Sequence, residues 1–236
     1  CRAVVNRLTL NYKKSQKSLY NMQILETVKK FAKFGTDTLV EKQEEFNYYI
    51  NEFWTAKQRQ ANHLHEISYR ACFKPQLPEF FIDNLTKPGD TVYDPFMGRG
   101  TTPLQAAIMG RRSIGNDVNP LCEYLIKPRM NTPALSDIQE RLKKIPLLKN
   151  IKMDNDLLVF FHPETLKRIV SLREWFLDKK LDQIDEWIRM IALNRLTGHS
   201  PGFFSVYTMP PNQAVTAKAQ RKINKKRSQT PEPRNV

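Results

Sequence analysis

The nine residues Asp94-Pro95-Phe96-Met97-Gly98-Arg99-Gly100-Thr101-Thr102 constrain this chain more than any others. Before them, Thr91-Val92-Tyr93-Asp94 is β-branched and aromatic, the composition of a strand. After them, the pattern predicts a helix from about Thr102 to Met109, stopped by Gly110. A second strand is predicted over Ser113-Ile114-Gly115-Asn116-Asp117-Val118, with Asp117 at its end. Strand, glycine loop, helix and strand make a βαβ unit. That unit implies a parallel sheet with a right-handed crossover, so the fold class is α/β.

The loop is suited to a nucleotide-like ligand. Gly98 and Gly100 have no Cβ, so the backbone can turn sharply and a ligand can lie against it. The helix that follows opens with unpaired amides that attract negative charge. Asp94 ends the first strand, where ligands of open α/β sheets bind. Asp117 is placed to accept hydrogen bonds from two ribose hydroxyls. The spacing departs from Gly-x-Gly-x-x-Gly, because Pro103 stands three after Gly100. There is no Gly-Lys-Ser/Thr, so the loop is no triphosphate site. An ordinary strand-to-helix turn, with Asp94 as a cap, remains the plain alternative.

Composition narrows the partners. The 236 residues carry a formal net charge of +14, so a polyanion is the expected partner, nucleic acid before membrane. No apolar run approaches the ~20 residues needed to span a bilayer. Asn6 and Arg7 interrupt any signal-peptide core. A soluble, cytoplasmic protein is the expectation. Cys1, Cys72 and Cys122 are too scattered for a disulfide framework or a zinc cluster, and no metal is expected. Cys72 and Cys122 read as small apolar residues. The chain opens on Cys1 and closes on Thr230-Pro231-Glu232-Pro233-Arg234-Asn235-Val236, with neither end reading as finished, so a fragment is expected.

The stretch from Asp94 to Thr102 closely resembles the Asp-Pro-Phe-x-Gly-x-Gly-Thr-Thr motif of the amino-group DNA methyltransferases, which modify cytosine N4 or adenine N6. Gly115-Asn116-Asp117-Val118-Asn119-Pro120 is similar to that family's second-strand motif. Upstream, the segment from His65 through Lys74 and Pro75 to Pro78 looks like the one these enzymes place before the glycine loop. The resemblance covers about residues 60–125. It implies a Rossmann-like S-adenosylmethionine-dependent methyltransferase fold with a helical insertion. By this resemblance Asp94, Phe96, Gly98, Gly100 and Thr101 would surround the methionine moiety of S-adenosylmethionine, and Pro95 and Thr102 would also belong to the cofactor-binding set. Asp117 would hold the ribose and Asn119 would lie near the adenine. Lys74 and Pro75 would lie near the amino-acid part. A solvated surface lysine is the alternative for Lys74, and a turn beside Pro120 the alternative for Asn119.

The resemblance also exposes a gap. The family's second motif is Asp, Asn or Ser, then Pro-Pro, then an aromatic residue. It holds a flipped base by its edge and its face. The only Pro-Pro here is Met209-Pro210-Pro211-Asn212. Met209 is a poor acceptor for the target amine, and Asn212 cannot stack as a ring would. Pro210, Pro211 and Asn212 are the candidates for a divergent catalytic motif, against a rigid loop. On the second reading the base-binding half lies beyond Val236, and this chain alone would be incomplete and inactive.

Four stretches follow: an N-terminal extension, partly helical, over 1–55; a cofactor-binding α/β part over 56–130; a helical region over 131–200; and a basic segment over 201–236. Within the first, apolar positions from Leu25 to Tyr49 predict helical pieces broken near Gly35. In the third, Ser136 is the expected cap of one helix, and two longer helices are expected at about Pro163–Leu177 and Leu181–Leu196. In the last, Lys218, Arg221, Lys222, Lys225, Lys226, Arg227 and Arg234 are opposed only by Glu232. The first six are candidates for nucleic-acid phosphate contact. Gln213, Gln220, Asn224 and Gln229 could reach base edges, and Lys57, Arg59, Arg99, Arg111 and Arg112 could add to a positive rim. The Gly202–Tyr207 run could stack on bases or join a core.

The function implied is methyl transfer from S-adenosylmethionine to an exocyclic amine of double-stranded DNA, cytosine N4 favoured slightly over adenine N6. Its setting would be a restriction–modification system with a cognate endonuclease. No cysteine sits as a nucleophile, which argues against carbon-5 chemistry. A tRNA guanine-N2 methyltransferase and a non-catalytic nucleic-acid-binding module are the alternatives.

Overall fold

The chain is described as a computed structural model, over residues 6–9, 19–54, 61–69, 72–198, 200–208 and 215–236. It divides into two units, Cys1–Glu66 with Cys72–Val118, and Ile67–Ala71 with Asn119–Val236.

The first unit begins with strand β1 (Asn6–Thr9), helix α1 (Leu19–Lys29) and the hairpin β2 (Leu39–Gln43) and β3 (Phe46–Asn51). β3 is central and antiparallel to both neighbours, with Asn6 opposite Asn51 and Leu39 opposite Ile50. The helical reading of Leu39–Tyr49 is therefore wrong. Along β3, Tyr49 and Asn51 are buried while Tyr48 and Ile50 are less so, a period of two. The hairpin turns at Glu44, whose φ is 53°. Buried Asn51 then ties the unit together. Its Nδ2 donates to the carbonyls of Phe31 (2.8 Å) and Thr36 (3.0 Å), and its Oδ1 accepts from the Thr36 hydroxyl (2.8 Å). Ile24, Val28, Tyr49, Phe53 and Phe80 form the core here. Phe80 comes from α2 (Gln76–Leu85), whose Phe31 contact is edge-on at 5.8 Å between ring centroids.

The βαβ unit follows as expected. β4 (Thr91–Asp94) leads through the glycine loop to α3 (Thr101–Ile108) and β5 (Arg112–Gly115). The strands are parallel, Thr91 opposite Arg112 and Asp94 opposite Gly115. The fold is mixed α/β. Among the described residues the parallel sheet has these two strands alone, so a Rossmann-like sheet is not laid out beyond its first crossover. β5 is also shorter than expected, and Asp117 lies two residues past its end.

The second unit is helical: α4 (Leu121–Met130), α5 (Leu135–Lys144), α6 (Pro163–Leu177), α7 (Gln183–Arg195) and α8 (Ala217–Arg227). α6 and α7 fall where amphipathic spacing and Pro163 put them. Ser136 does not cap α5. Ala134 holds the cap position, and the Ser136 hydroxyl bonds Asp137 Oδ1 within the first turn. One core joins Ile67, Leu125 and Met190, and another gathers Phe160, Phe161 and Leu166. Phe203 is buried, so the Gly202–Tyr207 run contributes to packing.

A charge cluster links α5, α6 and α7. Asp185, 1% exposed, accepts from Arg141 (2.6 Å), Lys179 (2.9 Å) and Trp175 Nε1 (3.0 Å). Arg141 also grips Asp182 at 2.7 Å, and Lys179 lies 3.6 Å from the Trp175 ring centroid. Burial pushes the Asp185 carboxyl up, but the bonds from Lys179, Trp175 and Arg141 outweigh it and hold it low. The Arg141 guanidinium holds Asp182 well below the usual carboxylate range. Among the described residues no helix is long and apolar enough to cross a membrane.

Candidate functional site

The glycine loop of the first unit is built by its own backbone. Asp94 Oδ1 accepts from the Phe96 amide at 3.0 Å, which starts the turn at the carboxyl end of β4. The Met97 amide bonds the Asn116 carbonyl (2.9 Å), and the Asn116 amide bonds the Asp94 carbonyl (2.9 Å). The loop and the stretch after β5 are thus stitched side by side. Gly98 and Gly100 both have positive φ, 53° and 82°, which an L side chain rarely adopts. Gly100 caps α3, and the helix opens with the Thr101 and Thr102 amides before Pro103, which has none.

Asp117 is half-buried, and its Oδ2 accepts from the Gly98 amide at 2.9 Å. The two acids expected to flank a cofactor therefore stand on either side of one loop, Asp94 entering it and Asp117 bonded to its middle. Phe96 lies at its edge, 86% exposed. Pro95 is exposed, Thr102 is half-buried and Thr101 is buried. The loop thus brings together positive-φ glycines, helix-opening amides and two carboxylates.

The upstream segment also meets the loop. Pro75 is buried at the start of α2, and Lys74 is exposed beside it. Arg99 reaches from the loop to both sides: its Nε donates to Thr101 Oγ1 (3.1 Å) and its guanidinium to the Phe73 carbonyl (3.4 Å). Sequence reading placed Arg99 on a positive rim and missed this tie. It also missed Gly115. A Cβ there would run into the Met97 sulfur and lie 3.1 Å from Pro103 Cγ. A glycine closing a short strand was the available signal.

Other expected residues take different places. Asn119 belongs to the second unit, where its Oδ1 accepts from the Leu121 amide (3.1 Å) and its Nδ2 donates to the Tyr69 hydroxyl (3.1 Å). Its local role is to start α4. Arg111 is a clamp: it donates to the Thr86 hydroxyl and carbonyl (both 3.0 Å) and to the Met109 carbonyl (2.6 Å). Arg112 bonds the Gly89 carbonyl at 3.2 Å. Cys122 is buried as expected, its thiol 3.2 Å from the Tyr69 hydroxyl, whereas Cys72 is exposed. Pro210, Pro211, Asn212, Gln213, Lys57 and Arg59 lie outside the described residues. Among the described residues no group of three His, Cys, Asp or Glu is set to hold a metal.

In the basic segment, Lys218, Arg221, Lys222, Lys225, Lys226 and Arg227 are exposed on α8. Arg221 pairs with Asp156 at 2.7 Å, and Arg227 lies 3.7 Å from the Tyr207 ring centroid. The amides do not face outward with them. Gln220 is fully buried and donates to the Tyr207 carbonyl and Asn224 Oδ1. Asn224 donates to the Val159 carbonyl at 2.8 Å, and Gln229 to the Tyr207 carbonyl at 2.9 Å.

Known proteins resemble this chain over part of its length. A stretch of the type II methyltransferase M.MjaII of Methanocaldococcus jannaschii is 39% identical over 93 residues, which is 39% of this chain and 17% of that protein. M.MvaI of Kocuria varians, another type II methyltransferase, is 30% identical over 154 residues, 58% of this chain and 33% of that one. The chain thus spans a third or less of these relatives. A solved M1.HpyAVI–SAM complex overlaps at a TM-score of 0.26 with 19% identity, covering 54% of this chain and 74% of that one, too slight a likeness to carry an argument. The family model for N6/N4 DNA methylases matches residues 5–127, more than half of the chain, and the chain belongs to that family.

Proposed function

We propose that this chain carries the S-adenosylmethionine-binding part of a DNA methyltransferase that modifies an exocyclic amine, cytosine N4 slightly ahead of adenine N6. The observation that carries the reading is the loop itself: Asp94 at its entrance, two positive-φ glycines, and Asp117 bonded to the Gly98 amide. Asp94 would accept from the cofactor's cationic amino group. Asp117 would accept from the ribose hydroxyls, and the amides at Thr101 and Thr102 would face its carboxylate end. Lys74, Pro75, Phe96 and Asn119 complete the proposed lining, within the Rossmann-like scheme that the β4–α3–β5 crossover begins.

The cofactor, when bound, supplies an electrophilic methyl on sulfur. The chain's residues hold and orient it, which is the entropic share of catalysis. The base-binding groups are left unassigned, with Pro210, Pro211 and Asn212 as candidates. The exposed cations of α8 would meet DNA phosphate, in a cytoplasmic restriction–modification setting.

Isothermal titration with S-adenosylmethionine tests the reading. Saturable binding is expected, weakened at least tenfold by Asp94→Ala and by Asp117→Ala. Absent binding, or binding that ignores both substitutions, would overturn it.

A further inference from the structure

We infer that α8 is a phosphate-contacting helix that carries no base readout. The inference rests on the proposed DNA substrate and its phosphate contact, and adds that this helix leaves the base edges unread.

α8 has two faces of opposite chemistry. Its inner face is committed to the protein. Gln220, at 0% exposure, and Asn224, one turn later, bond each other and the carbonyls of Tyr207 and Val159. Gln229 closes on the same Tyr207 carbonyl and on Asn224 Oδ1. Asparagine and glutamine are the side chains that read adenine by paired hydrogen bonds in a major groove. Here their amide N–H donors are spent inside the unit, and turning them outward would leave the Tyr207 and Val159 carbonyls without these donors.

The outer face carries Lys218, Lys222 and Lys225 at spacings of four and three, with Lys226 beside them. This places the ammonium groups along a stripe of about 12 Å at 1.5 Å per residue. A duplex carries one negative charge per ~1.7 Å of axis, so such a stripe can neutralise several phosphates at once. Arg221 is partly satisfied by Asp156, and Arg227 is laid on Tyr207. Lysine is a compact point charge that suits backbone contact, whereas bidentate reading of guanine is most often the work of arginine. An anionic lipid surface is the other polyanion with phosphate. A helix that lies in a membrane interface needs large apolar side chains on its buried face. Among the described residues of α8, no large apolar side chain is exposed.

The test uses the full chain and the variant Lys218→Gln/Lys222→Gln/Lys225→Gln. Binding to a randomised duplex pool is measured by fluorescence anisotropy at several salt concentrations, and the bound fraction is sequenced. The variant is expected to lower the slope of log Kobs against log salt by about 2–3. Its bound pool should match that of the unaltered chain. An unchanged slope would remove α8 from the DNA interface while leaving the DNA reading intact. A variant pool with altered base preference would show that α8 reads bases and would overturn the inference. No duplex binding by the unaltered chain at low salt would overturn both. Anionic vesicles serve as the membrane arm, and binding to them lost with the variant, in place of duplex binding, would also sink the inference. Far-ultraviolet circular dichroism of the variant checks that α8 remains helical.

Discussion

An alanine at Gly115 would place its Cβ against the Met97 sulfur and close to Pro103, the residue that begins the body of α3. An added methyl there must displace the Met97 side chain or press on the Pro103 ring. Gly115→Ala is expected to cost about 1–3 kcal/mol in chemical denaturation, the range for overpacking. Met97→Ala made alone and combined with Gly115→Ala closes a double-mutant cycle. Recovery in the double variant places the strain at the sulfur, and additive losses would refute the contact. Asp117 needs a similar separation of roles. Asp117→Ala removes a charged acceptor from the Gly98 amide and is expected to cost about 1–2 kcal/mol of stability. Asp117→Asn keeps one acceptor oxygen for Gly98, but it cannot accept from two ribose hydroxyls at once. It should therefore fold nearly as well as the unaltered chain and still bind S-adenosylmethionine poorly. Tight cofactor binding by Asp117→Asn would confine this residue to holding the loop. The sequence motif carries only the expectation that Asp117 meets a ribose. Its bond to Gly98 could not be read there, because that contact depends on how far β5 extends before the chain turns.

At the scale of elements, the charge cluster of α5, α6 and α7 gives a pH prediction with a definite sign. Asp182 and Asp185 both have folded pKa values below the ordinary 3.8. A depressed carboxylate contributes stability that is present above its unfolded pKa and lost as pH falls through the folded value. The helical unit should keep this contribution at neutral pH and lose it progressively below about pH 4. Arg141, raised by its bonds to Asp182 and Asp185, stays charged throughout and does not move the window. Asp185→Asn should remove much of the acid dependence, and at neutral pH it should cost about 3–5 kcal/mol because Arg141 and Lys179 lose a buried partner. Hydrogen exchange of α7 at pH 7 and pH 3 reads both effects, and equal acid sensitivity in the variant would refute the assignment. Elements of this kind were unevenly legible. α6 and α7 announce themselves locally, through Pro163 and a repeated apolar stripe. The β2–β3 hairpin does not. Leu39, Phe46 and Tyr49 suit a helical spacing, and β3 is a strand only because β1 and β2 pair with it on either side and Asn51 is held by residues of another turn. The pairing of β3 with the distant β1 leaves little trace in a short window. The inward amides of α8 were misjudged for the same reason, since Tyr207 and Val159 lie well upstream of them.

Across the whole molecule, each unit owns its core. Ile24 and Val28 serve the first and Leu166 and Met190 the second, all nearly or fully buried. The family match ends at residue 127, and the glycine loop lies wholly within the first unit. This division predicts how ligand and mutation act on unfolding. Ile24→Ala and Leu166→Ala should each cost about 2–5 kcal/mol, but in different transitions of a denaturation followed by hydrogen exchange with peptide resolution. S-adenosylmethionine at a hundred times its Kd should stabilise its binding unit by about 2.7 kcal/mol. That gain should appear in peptides spanning β4, α3 and β5, and should offset Ile24→Ala without offsetting Leu166→Ala. Asn119 makes the outcome informative. It sits in the second unit, bonded to Tyr69, yet the family resemblance puts it near the adenine. If ligand protection reaches Asn119 itself, its assignment to the adenine stands. If protection stops at Val118, Asn119 serves only to start α4, through the bond its Oδ1 accepts from the Leu121 amide.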